Sequence, residues 1–197
     1  MKKEMYISSA CKIENNTVVV NNNLVYSESA DKNFETFAKF AYKIFNVKYP
    51  KFYKMDNLCK LGFLTAEVLL NRGKFTEYYQ SKYKPADIGI VITNFSSSLD
   101  TDEEFQKTIE STDNYFPSPA VFVYTLPNIM LGEISIRHKI KGENACFISK
   151  RFNDGALNDF YISSLFDEGK AKAVISGWVD YYKNNYLSVL YFIERDK

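Results

Sequence analysis

Residues 87–93 read Asp-Ile-Gly-Ile-Val-Ile-Thr (DIGIVIT), with Pro85 just upstream and Asn94 to Ser98 (NFSSS) just downstream. A short β-branched run bounded by such residues predicts a strand buried on both faces, as strands are inside an α/β sheet. Upstream, residues 57–70 (NLCKLGFLTAEVLL) are apolar nearly all round, with Asp56 placed to cap them. A helix without a polar face is covered on several sides. Earlier still, Phe34, Phe37, Ala38, Ala41, Ile44 and Phe45 recur at i, i+3, i+4, i+7 and predict an amphipathic helix over 31–45. Met5–Ile13 and Thr17–Val20 read as strands, with turns at Asn15-Asn16 and Asn21–Asn23.

Downstream, a helix opens near Thr101 with Asp102, Glu103 and Glu104 at its positive end. Phe116-Pro117-Ser118-Pro119 is a rigid turn, and a further helix runs from Asn128 to about Lys139. Ala145–Ser149 reads as a strand and Asn153-Asp154-Gly155 as a turn. Ala156–Glu168 reads as a helix with Ala156, Leu157, Phe160, Tyr161 and Leu165 on its covered face. Ala173–Tyr181 and Tyr186–Glu194 are the last strands. Helices alternate with buried strands and no linker or repeat interrupts them. The expected class is α/β, with residues 1–197 in one layered domain.

Lys+Arg 25 against Asp+Glu 24 gives a net charge of +1, and only four cations are arginine (Arg72, Arg137, Arg151, Arg195). No strong field draws such a chain to nucleic acid or an anionic membrane. No stretch approaches the roughly 20 apolar residues of a membrane span. Cys11, Cys59 and Cys146 are odd in number and form no CxxC. That usage, with no signal-peptide core at the N-terminus, leads to the expectation of a cytoplasmic protein.

Generic catalytic signatures do not occur: there is no GxxxxGK[ST], GxGxxG or GxSxG. One histidine, His138, and scattered cysteines do not make a His-rich metal site, so neither metal nor cofactor is expected. His138 is either a general base or a side chain meeting the last carbonyls of its helix, the commoner role. A thioester hydrolase or acyltransferase would have to pair it with Ser96, Ser97, Ser98, Ser118 or Cys146. Asp100, Asp102, Glu103 and Glu104 read as a dipole-stabilising face more readily than as a metal site. The aromatic pairs Tyr78-Tyr79, Tyr181-Tyr182 and Tyr191-Phe192 read as core on one side, and Cys59 as buried and inert.

Three stretches go further: residues 49–70, residues 87–105 and residues 118–144. The most specific piece is Leu126-Pro127-Asn128, Gly132-Glu133-Ile134-Ser135-Ile136 and Lys141-Gly142-Glu143-Asn144. A second anchor is residues 168–177, including Gly169 and Gly177. Over roughly residues 49–180 the chain resembles the N-terminal half of β-ketoacyl-[acyl-carrier-protein] synthases. It is similar above all to the ketosynthase-like proteins of bacterial aryl-polyene and flexirubin-type pathways. The resemblance implies half of a thiolase-like fold, a mostly parallel mixed sheet packed with helices. It also implies that the second half, which supplies the family's paired histidines, is missing.

Counting by the family's spacing, forward from Gly142 and back from Gly169, lands on Arg151 and Phe152 where the nucleophile belongs. Cys146 comes too early and falls inside the strand, as a small buried hydrophobe. The resemblance therefore implies a pseudoenzyme of fatty-acid or polyketide-type biosynthesis, a non-catalytic partner subunit. Its expected partners are a second copy or a full-length ketosynthase, joined along Ala145, Cys146, Phe147 and Ile148, with acyl carrier protein as a further candidate. Aromatics between 105 and 124 (Phe105, Tyr115, Phe116, Phe122, Tyr124) are expected to add apolar surface near that edge.

Overall fold

The computed structural model describes residues 4–113, 115–150, 152 and 155–195, without the side chains of 155–158. The strands are β1 (Met5–Glu14), β2 (Thr17–Val20), β3 (Asn23–Ser27), β4 (Ile88–Asn94), β5 (Asn144–Ile148), β6 (Ala173–Tyr182) and β7 (Asn185–Arg195). The helices are α1 (Phe34–Ile44), α2 (Asn57–Leu70), α3 (Lys74–Lys82), α4 (Leu99–Lys107), α5 (Pro119–Phe122), α6 (Ile129–His138) and α7 (Gly155–Asp167). All seven strands share one sheet in the order β3-β2-β1-β7-β6-β4-β5. The α/β class and the mixed sheet are as expected.

The expectation of a mostly parallel sheet needs correction. Only β4–β5 and β4–β6 pair in parallel, and the other four pairings are antiparallel. β1, β3, β4, β5 and β6 do run one way. The hairpin partner of β6, β7, then enters between β6 and β1, and antiparallel neighbours follow on both sides of it. Two residues, Lys183 and Asn184, make that hairpin, both in the left-handed region. Asparagine tolerates that region and suits a turn matched to strand twist.

One face of the sheet carries the main core. Ile13, Ile90, Ile92, Ile175, Leu190 and Phe192 pack beneath α1, α2, α3 and α6. α2 is central, as its apolar circumference requires, and Leu61, Phe63, Leu64, Leu69 and Leu70 are all fully buried. Each such side chain contributes about 2 kcal/mol through burial. Asp56 caps α2 as expected, accepting from the Cys59 N–H at 2.9 Å and from the Thr101 hydroxyl at 2.7 Å. The second face is covered by α7 through Ile162 and Leu165 on Val91, Ala171 and Val174.

Several side chains depart from the sequence reading. Ile44 is exposed although the helical spacing put it with the buried row, because α1 ends there. Phe160 is 75% exposed, not on the covered face of α7, because Ile162 and Leu165 set the helix phase against the sheet. Tyr124 is buried, unlike Tyr115, Phe116 and Phe122 around it. Neither β3 nor α3 is legible as a sequence run. α3 (KFTEYYQSK) owes its place to Tyr79, which is buried, and to Phe75 edge-on to Phe192.

Candidate functional site

In an open α/β sheet, chemistry gathers beyond the carboxyl ends of the parallel strands. Here those ends belong to β4, β5 and β6. The Asn94 carbonyl at the end of β4 accepts from the Ser149 N–H just past β5 at 2.8 Å. Asn94 Nδ2 donates to the Ser97 carbonyl at 3.2 Å, while its Oδ1 is buried without a hydrogen-bond partner. Ser97 takes the left-handed region at φ 53°. Across from it, the Asp180 carboxylate of β6 accepts from the N–H groups of Phe95 (3.1 Å) and Ser96 (2.7 Å) and from the Ser96 hydroxyl (3.2 Å). The Ser98 hydroxyl donates to the Thr125 carbonyl at 2.6 Å. The serine run is thus a loop tied down by hydrogen bonds, with two of its hydroxyls already engaged.

Of the two positions matched to the family nucleophile, Arg151 lies outside the described residues, as do Asn153 and Asp154 of the expected turn. Phe152 stands 45% exposed with its ring edge-on to Trp178 at 5.7 Å. Cys146 lies on β5 against the main core, and burial pushes its thiol up to about 11. It faces the helix layer beneath the sheet, not the turn that follows β5. A thiol so placed is protonated and unreactive at neutral pH.

His138 does not join the serines. It ends α6, just before the turn in which Lys141 N–H and Gly142 N–H bond the Pro85 and Ile88 carbonyls at the amino end of β4. The serines follow the carboxyl end of β4, and a seven-residue strand separates the two ends by roughly 20 Å. Ser118 caps α5. Ser96, Ser97 and Ser98 are therefore out of reach of His138, and their pairing with it is corrected. His138 is buried instead, with Nε2 3.5 Å from Glu67 Oε1. Burial holds its pKa down at about 4, with Glu67 pulling it up and Arg137 pushing it down. It is not surrendered to the last carbonyls of its helix either, since it turns toward α2.

The acidic residues of α4 serve the fold. Asp100 accepts from the Lys183 N–H at 2.9 Å, and Glu103 accepts from the Tyr182 hydroxyl at 2.8 Å. Among the described residues no cluster of three or more His, Cys, Asp or Glu is arranged to hold a metal ion. No single helix there is long and apolar enough to cross a membrane.

The positions matched to the family motif are spread along this framework. Pro127 and Asn128 lead into α6, where the Asn128 carbonyl accepts from Gly132 N–H at 3.1 Å but its side chain caps nothing. Gly142 passes so close to Ile88 that a Cβ would strike its carbonyl, and Gly177 likewise abuts the Val189 carbonyl in the next strand. Asn144 donates to the Ser135 hydroxyl at 3.1 Å, and Gly169 follows the end of α7. Ala145, Cys146, Phe147 and Ile148 form β5, the last strand of the sheet on that side. Within it Ile148 is 53% exposed, and on α6, whose Ser135 meets Asn144, Ile136 is exposed too.

Two polar features gave no signal in the sequence. The Glu67–Arg137–His138 cluster joins residues far apart along the chain, and Asp180 is an isolated acid in a strand.

Neither a family model nor a curated protein matches the chain. Solved structures do. It is similar to the ishigamide ketosynthase/chain length factor, with a TM-score of 0.71, 14% identity, 96% of this chain covered and 62% of that one. It is similar to the ketosynthase (ApeO) in complex with its chain length factor (ApeC) from Xenorhabdus doucetiae, with a TM-score of 0.61, 10% identity, all of this chain covered and 80% of that one. It is also similar to AntDE:AntF, a type II acyl-carrier protein in complex with its ketosynthase, with a TM-score of 0.69, 11% identity, 99% of this chain covered and 63% of that one. The chain spans 62% of the length of the first of these. At such identities the likeness establishes the fold alone, the sheet and helix layers that these ketosynthase structures share.

Proposed function

We propose that this chain is a ketosynthase-like subunit of a fatty-acid or polyketide-type pathway that does no condensation itself and pairs with a ketosynthase. Residues 1–197 act in this reading as one domain. The observation that carries it is the turn after β5. Where the family spacing puts a nucleophile, Phe152 packs on Trp178, and the cysteine nearest in sequence, Cys146, is turned into the core with a raised pKa. A nucleophile needs an activating base or a depressed pKa, and Cys146 has neither.

The open edge of β5 supports the partner role. Among the described residues no strand lies beside the outer edge of β5, away from β4, and no charge or proline blunts the run Ala145–Ile148. Solved structures of similar fold include a ketosynthase with its chain length factor and a ketosynthase with its acyl-carrier protein. A ketosynthase that extends the sheet across β5 would cover Ile148 and Ile136 together, and carrier protein would then reach the pair through the catalytic subunit.

The test is co-expression with a full-length ketosynthase followed by light scattering and a decarboxylation assay with malonyl-carrier protein. The expected result is a complex that Ile148→Lys disrupts, and no decarboxylation by this chain alone. Turnover by the isolated chain, or a complex indifferent to Ile148→Lys, would overturn the proposal.

A further inference from the structure

At the opposite end of the sheet from β5, β3 is the last strand, and among the described residues nothing pairs with its outer edge. Asn-Leu-Val-Tyr-Ser carries none of the lysines, prolines or inward charges that close an edge to other chains, and a bulge is its one protecting device. Leu24 is 63% exposed. The register against β2 jumps from Val18↔Tyr26 to Val19↔Leu24, so Val25 is the extra residue of a bulge. A bulge re-aims a side chain. Here it turns Val25 toward the helix-covered side that Tyr26 already occupies, where Tyr26 stacks on Phe37 and meets Phe45 edge-on.

The consequence is a groove. Val25, Phe45, Val47 and Val68 line a cavity of about 210 Å³ between β3 and the ends of α1 and α2, with Glu67 and Arg72 at its polar end. The two charges are not equivalent. Glu67 is buried and already bound by Arg137 and Asn71. Arg72 is exposed and has no acidic partner among the described residues. The uncompensated charge of the groove is therefore positive, beside an apolar hole the size of one aliphatic or aromatic side chain.

We propose that this groove is a strand-addition site for an extended segment of another protein that carries an acidic residue close to an apolar one. The segment's backbone pairs with the free edge of Asn23–Ser27. Its apolar side chain fills the cavity over Val25 and Val68, and its carboxylate meets Arg72. Main-chain pairing supplies affinity in such sites, and the pocket and the charge supply selectivity. The site lies at the far edge from β5, so it does not depend on the ketosynthase-partner reading.

The experiment is selection of a random peptide display library on the full chain, counter-selected on a Val25→Lys/Arg72→Glu double variant. Both positions are solvent-accessible, and far-UV circular dichroism confirms that the variant folds. The expected peptides place Asp or Glu near Val, Ile, Leu or Phe, shift the amide resonances of residues 23–27, and bind at least about tenfold more weakly to Arg72→Glu. Enrichment of no sequence over the double variant overturns the proposal. So do peptides that shift amides elsewhere, and so does self-association of the chain that Val25→Lys abolishes, which would make the occupant a second copy. A chain that fails to bind a ketosynthase leaves each of these readouts unchanged, so the two proposals fail separately.

Discussion

The Arg137 guanidinium at the end of α6 forks onto the buried Glu67 carboxylate of α2, with Nη2 3.2 Å from Oε2 and Nε bonded to Oε1. Glu67 is the middle of a small polar cluster in a largely apolar helix: Asn71 donates to it at 2.9 Å, and His138 stands beside it. A carboxylate placed there without a cation would carry its full desolvation cost.

Arg137→Ala should therefore cost about 3 kcal/mol, the loss expected when one member of a buried pair is removed and the other charge stays behind. Urea denaturation gives the number. The same change deletes a cation next to His138, so the His138 pKa should rise from about 4, visible by NMR titration of the ring. An unchanged stability midpoint would show that Glu67 finds another partner.

His138 itself makes stability pH-dependent. Its folded pKa of about 4 lies below the ordinary value of 6.5, so the unfolded chain binds the proton more readily. The sign follows: this residue costs nothing above pH 6.5, weakens the fold as pH falls toward 4, and adds no further loss below that. Between pH 7.5 and pH 5 the loss is about 2 kcal/mol. Against wild type, His138→Gln should lack that share of the decline when urea midpoints are compared at the two pH values. Parallel declines would remove His138 as the cause.

Glu194 ties α3 to β7. It is fully buried and accepts from Tyr78 at 2.8 Å, from Lys82 at 2.7 Å and from Tyr83. Burial pushes its carboxyl up, and the donors from Lys82, Ser8, Tyr83 and Tyr78 together hold it below the usual range. Glu194→Gln should lose about 2 kcal/mol, the scale of hydrogen bonds to a charged group. In a chain of this size that is a Tm lower by roughly 6 °C. Earlier hydrogen exchange in α3 than in α2 would locate the damage there.

Two glycines should respond in opposite ways to alanine. At Gly177 a Cβ would run into the Val189 carbonyl of the neighbouring strand, a backbone atom that cannot swing aside. Gly177→Ala should cost about 3 kcal/mol or more. At Gly132, inside α6, a Cβ meets nothing. Gly132→Ala should stabilise by about 0.5–1 kcal/mol, the helix-propensity gain. Thermal melts of the two variants distinguish them.

Wherever local pattern was enough, the sequence alone determined the outcome. The β-branched run at 88–94, the all-round apolar α2 with Asp56 ahead of it, and the Asn-rich turns all form where periodicity and turn chemistry put them. Such features depend on neighbours a few residues apart. Only the tertiary structure decided the rest. β3 and α3 have too little apolar pattern to declare themselves, and they form because a sheet edge and Phe192 lie waiting for them. β7 runs between β6 and β1, which makes most pairings antiparallel, because strand order follows from hydrogen-bond partners distant along the chain. The same holds for the candidate site. The family's spacing led to the expectation of no nucleophile after β5, but the roughly 20 Å between His138 and the serines exists only because α6 and the serine loop approach opposite ends of β4. Charges pair across elements by geometry that no spacing encodes, and so Glu67 with Arg137, and the free edge of β3 beside Arg72, came into view only in the folded chain.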